Sequence, residues 1–276
     1  MSTLTVTTIQ TNLHWEEKSA NLRMLEEKIA AIEERTELVV LPEMFSTGFS
    51  MKPSELAEDM EGETMAWMKR VSRENGIVLT GSFIATENAG YYNRLVWMLP
   101  NGQYGYYDKR HLFGYAGEDK HYQAGNKRLI ASVNGWKINL QVCYDLRFPV
   151  WARNRVLDPD QNRAGAPAST TSPEYDLLVY VANWPERRSH AWKTLLCARA
   201  IENQCYVIAS AQGGKHVNGR ETYGDSLIID PWGVVLNRLS QGPGVVLAEF
   251  SRERLEDVRR QFPALHHRVP CEVCER

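Results

Sequence analysis

Short apolar runs and helix-period stripes take turns along nearly the whole chain of 276 residues. That alternation restricts the fold to layers of helices packed on β-sheet. "LTVTTIQ" (4–10) reads as an opening strand. Over 15–35, Leu22, Leu25, Ile29 and Ile32 share one stripe at helical spacing. "ELVVLPE" (37–43) is a short buried strand stopped by Pro42. A helix over 63–75 ends at Asn75-Gly76, a left-handed cap signal, and leads into the strand "IVLTGSFIA". Further on come the strand "DLLVYVAN", a helix near 188–203 and the strands "CYVIASAQ", "DSLIID", "VVLN" and "VVLAEF". A last helix spans about 251–262.

Asn101-Gly102 and Asn134-Gly135 sit between β-rich runs and predict hairpins, since a type I′ turn needs two residues at positive φ. Parallel-type strand–helix units mixed with hairpins predict a mixed sheet, or two sheets, covered by helices. No repeat and no linker interrupts the pattern, so one domain over 1–276 is expected. Residues 155–176, rich in Pro, Ala, Ser and Thr, read as a surface insertion, and 263–276 as a C-terminal tail. Residues 108–127 read as a long loop of the kind that carries function.

Composition excludes several roles. A formal net charge of -2 leaves no basic footprint for nucleic acid or an anionic membrane surface. No apolar run approaches the roughly 18 residues of a membrane span. The opening residues lack the basic and apolar parts of a secretory signal, which makes a cytoplasmic protein the expectation. Five cysteines, an odd number in a large chain, argue against a disulfide framework. Cys271 and Cys274 form a Cys-x-x-Cys behind His266 and His267, but the second half of a metal set is missing, and an ordinary tail explains them better.

Three stretches open loops at strand ends, where a rigid sheet fixes the first loop residues. Glu43 closes "ELVVLPE"; Lys109 opens the long loop, with Glu118 nine residues on; Cys143 ends the alternating run of Ile138, Leu140 and Val142. Taken singly, each has a bland reading: a solvated carboxylate, a surface lysine, a buried inert thiol. Together they complement one another. A thiol with an ordinary pKa near 8.5 needs a base or a cation to react at neutral pH. Glu43 is placed to be that base, and Lys109 to steady an anion. The backbone N–H of Tyr144 is a second candidate oxyanion donor.

The texts "LPEMF", "DKRHLF" and "CYDLRFP", in that order, resemble the nitrilase (carbon–nitrogen hydrolase) superfamily. The resemblance extends from "TTIQTNLHW" through "ARAIENQCYVIASAQ" to "GDSLIIDPWG". "CYDLRFP" with "YVANWP" is similar to the omega-amidase branch, which hydrolyses the terminal amide of short α-keto acid amides such as 2-oxoglutaramate and 2-oxosuccinamate. The resemblance implies an α/β fold, a four-layer α-β-β-α sandwich, paired as a homodimer. It implies Glu43 as general base, Lys109 as oxyanion donor, Cys143 as nucleophile and Glu118 as the acid that positions Lys109 and water. It implies no cofactor and no metal. Gly114 stands where the family often has an acid, and the 155–176 segment is longer than usual.

A substrate with a distal carboxylate calls for a guanidinium fork, and Arg147 is the candidate, its alternative being an ion pair with Asp145. Phe45, Tyr115, Trp184 and Trp192 are candidate aromatic walls, Trp184 foremost because it follows a strand end. His111 is expected to hold its loop, and Arg199 to pair with Glu202. Rival readings are a carbamoylase or other aliphatic amidase, an acyl transferase, and a non-catalytic interaction protein on the same scaffold.

Overall fold

The computed structural model describes residues 3–157, 172–215 and 221–268. Its first sheet holds β1 (Thr3–Gln10), β2 (Leu38–Val40), β3 (Val78–Glu87), β4 (Gly90–Met98), β5 (Tyr104–Asp108) and β16 (Gly244–Ser251), in the order β16-β1-β2-β3-β4-β5. The second holds β6 (Ile130–Val133), β7 (Trp136–Val142), β10 (Leu177–Ala182), β11 (Tyr206–Ala211), β14 (Ser226–Ile229) and β15 (Val235–Leu239), in the order β15-β14-β11-β10-β7-β6. Two short hairpins stand apart, β8 (Val156–Leu157) with β9 (Ser172–Pro173) and β12 (Gly213–Lys215) with β13 (Glu221–Tyr223). The helices are α1 (Lys18–Ala30), α2 (Pro53–Leu56), α3 (Glu63–Asn75), α4 (Pro149–Ala152), α5 (Ser189–Asn203) and α6 (Arg252–Gln261).

Side-chain alternation along the first sheet explains the layers. Val39, Leu41, Leu79, Val96 and Met98 pack with Leu22, Leu25 and Ile29 of α1 and with Trp67, Met68 and Val71 of α3. Their strand neighbours Leu38, Val40, Val78, Leu95 and Trp97 join Ile138, Leu140, Val179 and Ile208 of the second sheet. Trp192, Leu196 and Ala200 of α5 and Leu255 of α6 belong to the same cluster. Four layers result, helix, sheet, sheet, helix, as the resemblance implies. Polar groups stitch the two sheets: the Ser210 hydroxyl donates to the Ile9 carbonyl at 3.2 Å, and Gln10 accepts from the Ser226 N–H at 2.9 Å.

Several expectations are refined. The first helix is shorter than 15–35. Glu16 turns at φ 59 and bonds Ser50 and Lys52, while Glu33 and Glu34 would place negative charge at the negative end of the helix dipole. Gly76 is the left-handed cap of α3 at φ 65. Asn134 and Gly135 both take positive φ, 49 and 78, in a two-residue turn between Val133 and Trp136. The other Asn-Gly hairpin differs: only Gly102 is left-handed, and Asn101 instead accepts from the Gln103 N–H through its side chain.

The stretch 108–127 is mainly irregular, with short 3-10 turns at Gly114–Ala116 and Glu118–Lys120. Of the expected insertion, residues 158–171 lie outside the described residues, but its flanks pair as β8 and β9. The expected tail begins docked, because Leu265 is buried and Arg268 donates to the carbonyl of Asn154. Cys271 and Cys274 lie outside the described residues.

Gly125 closes the long loop against the end of β5. Its N–H donates to the Lys109 carbonyl at 3.0 Å, and a Cβ there would lie 2.2 Å from the Asp108 carbonyl oxygen. Gly125→Ala should therefore lower stability by about 1–3 kcal/mol. Urea unfolding checks this, and catalytic rate should fall with it as the backbone at Lys109 is pushed away.

Candidate active site

Glu43, Lys109 and Cys143 each stand just past a strand end, after β2, β5 and β7, and converge between the sheets. The backbone is bent to bring them there: Met44 and Cys143 have φ of 47 and 43, a left-handed conformation uncommon outside glycine. Cys143 starts a 3-10 turn through Arg147. As the first residues of that turn, Cys143 and Tyr144 present N–H groups that the turn itself does not use.

Lys109 is fully buried, and its Nζ donates to Glu43 Oε1 at 2.9 Å and to Glu118 Oε1 and Oε2 at 3.0 and 2.9 Å. Burial alone would push the ammonium pKa down, but the charges of Glu118 and Glu43 outweigh it and hold Lys109 above its ordinary value. Glu118 is raised by burial, opposed by Lys109 and reinforced by Glu43. Two carboxylates thus share one ammonium. The Phe113 N–H donates to Glu118 at 2.6 Å, and the Asn183 N–H to Glu43 Oε2 at 2.8 Å.

Cys143 is buried, and the charges of Glu43, Lys109 and Glu118 all act on its thiol. Burial pushes its pKa well above the thiol range, Glu43 and Glu118 add to the rise, and Lys109 only partly offsets it. The resting group is therefore a thiol. Moving its proton to Glu43 keeps the total charge of the cluster unchanged, which makes that transfer cheaper than ionisation into solvent.

Residues that sequence reasoning passed over complete the frame. Asn93, from within β4, donates to Glu43 at 2.8 Å and to Glu118 at 3.2 Å, bridging the two acids opposite Lys109. Asp145, two residues past the thiol, accepts from the Tyr107 hydroxyl, the His111 N–H and the Val142 N–H at 2.7, 2.9 and 3.0 Å, and pairs with His111 Nδ1 at 2.8 Å. It locks the cysteine turn to the loop that carries Lys109. Asn93 carried a readable signal, an amide beside Arg94 just ahead of the apolar run 95–98. Asp145 did not, since its Tyr107 and His111 partners lie far away in sequence.

The remaining candidates divide. Arg147 is exposed, lies 5.4 Å from the Trp184 ring centroid and makes no ion pair with Asp145. Trp184 is buried, and its Nε1 donates to the Arg188 carbonyl at 2.8 Å. Tyr144 is half-buried, edge-on to Phe113 at 5.0 Å. Phe45 does not face the cluster. The left-handed turn at Met44 directs it into the helix-side core, 5.8 Å from Trp67. Phe49 takes the place expected of it, with Lys109 Nζ 5.3 Å from its ring centroid. Trp192 is core, bonded to the Asp225 carbonyl, while Tyr115 is 75% exposed. His111 does hold its loop, stacked on Phe148 at 3.7 Å. Arg199 pairs with Glu202 and also donates to the Leu146 carbonyl, bracing the cysteine turn from α5. Gly114 leaves room for Asp119, whose carboxylate a Cβ there would meet at 3.3 Å.

Two six-stranded sheets packed face to face, with an acid, a lysine and a thiol meeting at strand ends, define an α-β-β-α sandwich of the nitrilase type. The chain belongs to the carbon-nitrogen hydrolase family, whose model matches residues 5–260. It is 42% identical over 267 residues to the omega-amidase YafV of Yersinia enterocolitica, covering 96% of this chain and 97% of that protein. To the 2-oxoglutaramate amidase of Bacillus subtilis it is 32% identical over 262 residues, 94% of this chain and 95% of that one. A solved CN-hydrolase superfamily protein of Xanthomonas campestris, XC1258, holds an arsenic adduct in its active site. It matches with a TM-score of 0.91 at 39% identity, over 98% of this chain and 99% of that one.

Two substitutions test the geometry. Glu43→Gln removes the carboxylate charge that raises the thiol, so the pH profile of Cys143 alkylation by iodoacetamide should shift to lower pH. An unmoved profile would exclude Glu43 as its partner. Asp145→Asn turns an amide N–H toward groups that already donate, which should displace the cysteine turn and cut kcat/KM on the order of 10²-fold, measured on protein verified as folded.

Proposed function

We propose that this protein is an omega-amidase, hydrolysing the terminal amide of short α-keto acid amides such as 2-oxoglutaramate and 2-oxosuccinamate. The observation that carries the reading is that one buried carboxylate, Glu43, bonds the ammonium of Lys109 at 2.9 Å and lies near enough to the buried Cys143 for its charge to act on the thiol. Base, nucleophile and cation are then within reach of a single substrate carbonyl. The names of the relatives supply the substrate class.

Glu43 accepts the Cys143 proton as sulfur attacks the amide carbon. Lys109 and the Tyr144 N–H hold the tetrahedral oxyanion, a role in which one donor is commonly worth about 10²–10³ in rate. Glu43 returns the proton to nitrogen, the C–N bond breaks, and ammonia leaves a thioester. Water then enters, Glu43 takes its proton, and the second tetrahedral species collapses to the keto acid and the free thiol. Glu118 keeps Lys109 aimed and charged throughout. Arg147, on its Trp184 platform, faces the distal carboxylate. Every step uses protein side chains, one backbone N–H and water.

The reading extends to a single catalytic domain working as a cytoplasmic homodimer. Ile201, Trp232 and Val234 support the pairing: all three are exposed and apolar, and Ile201 lies against the backbone of Gly233. Among the described residues no helix is long and apolar enough to cross a membrane.

Ammonia release from 2-oxoglutaramate and 2-oxosuccinamate, with glutamine and a simple nitrile as controls, is the deciding assay. Activity on the two keto amides alone is expected, and Cys143→Ala should lose it by about 10⁴-fold or more. Silence on both keto amides would remove the substrate assignment. Carbon dioxide released with ammonia from a carbamoyl compound would move the protein to the carbamoylase reading.

A further inference from the structure

Three arginines lie on aromatic rings near the cysteine turn: Arg147 on Trp184, Arg187 on Tyr115 and Arg188 on Phe113. Most other arginines of the fold have carboxylate partners: Arg94 has Asp108 and Glu87, Arg128 has Glu174, Arg254 has Asp230 and Arg259 has Asp176. No carboxylate pairs with any of the three among the described residues. Aromatic rings receive them instead. Arg187 lies 5.7 Å from the Tyr115 centroid, and Arg188 lies 5.1 Å from Phe113 and 5.9 Å from Tyr115.

Arg188 differs from the other two in burial. Arg147 and Arg187 are exposed, whereas Arg188 is half-buried. A guanidinium withdrawn from water without a counter-ion is less screened and attracts an anion more strongly than an exposed one. Its backbone is fixed, since the Arg188 N–H donates to the Pro185 carbonyl at 2.9 Å and its own carbonyl accepts from Trp184. Burial and Arg187 push its pKa down, Cys143 opposes them and Arg147 adds to the fall, so Arg188, the nucleophile and Arg147 lie within electrostatic reach of one another. The Phe113 ring that it covers belongs to the residue whose N–H holds Glu118.

The charge balance of the site requires such a group. Inside, two carboxylates face one ammonium, an excess of negative charge that repels an anionic substrate. We propose that Arg188 is the specificity-determining residue of this site, binding the substrate's distal carboxylate with Arg147 beside it and thereby selecting carboxylated amides over neutral ones. This rests on the amidase reading, and it names a residue outside the cysteine segment. A fork held over aromatic faces presents its N–H groups edge-on, the geometry in which a carboxylate accepts two parallel hydrogen bonds.

The test compares wild type, Arg188→Gln and Arg188→Lys in two assays. The first measures KM and kcat for 2-oxoglutaramate and for pentanamide, a neutral amide of equal chain length. For Arg188→Gln the ratio of the two KM values should shift by about 10-fold or more against the keto amide, as expected for loss of a charged hydrogen-bonding pair. Arg188→Lys keeps the charge without the fork and should shift it by less. The second assay measures protection of Cys143 from iodoacetamide by 2-oxoglutarate, which should need about 10-fold more ligand in Arg188→Gln.

Equal KM changes on both amides, or unaltered protection, would overturn the proposal. If wild type hydrolyses no keto amide yet 2-oxoglutarate protection depends on Arg188, the carboxylate site stands and the omega-amidase reading falls. If keto amides are hydrolysed with an unshifted KM ratio, the reading stands and the role of Arg188 falls. Should glutamine at 188 prevent folding, the lysine variant carries the same ratio, with an expected shift of about threefold.

Discussion

One ammonium buried between two carboxylates holds the active region together. Lys109, Glu43 and Glu118 are all fully buried. Each would be costly to withdraw from water by itself, several kcal/mol even after relaxation. They are tolerable only as a set, with further lone pairs taken by Asn93 and by the N–H groups of Phe113 and Asn183. Those partners come from β4, from the long loop and from the end of β10, so the set forms only when both sheets have docked. The chemistry and the packing of the sandwich therefore share one requirement.

The cysteine turn is built on the same logic at one remove. Asp145 gathers donors from the end of β7, from Tyr107 on β5 and from His111 beyond Lys109. Arg199 reaches the same turn from the outer helix. A left-handed residue at position 143 is strained unless its surroundings over-determine it, and these contacts do so. The thiol is thereby positioned by the turn that carries it, which these contacts fix from several sides.

Much of this was legible in the chain. The strands and the ends of α3 and α5 followed from periodicity and from the cap at Gly76. The positions of Glu43, Lys109 and Cys143 at strand ends followed from where apolar alternation stops. Their convergence did not, because it depends on two sheets meeting face to face, which no local pattern encodes. The same limit hid Asp145 and Asn183, whose partners Tyr107, His111 and Glu43 lie far away in sequence. Phe45 was one of four candidate aromatic walls, and nothing local in the sequence shows that a left-handed Met44 turns it into the helix-side core while Phe49 approaches Lys109. Arg188 went unnoticed because an arginine stands out only when no carboxylate among the described residues pairs with it, and that is a fact of three dimensions.

The pairing of β1 with β16 joins Thr3 to Ser251 and Gln10 to Gly244, so among the described residues the first strand is completed by the last. Until residue 251 leaves the ribosome, β1 presents an unpaired edge on a nearly complete sheet, a template for association with other chains. Short contacts such as the β3–β4 hairpin can form early, but closing the first sheet demands a contact spanning almost the entire chain, the slow kind in folding. Closure of the first sheet thus waits on a strand far along the chain from β1, and a chain cut short before β16 keeps its catalytic residues while lacking the strand that seals the sheet edge beside β1.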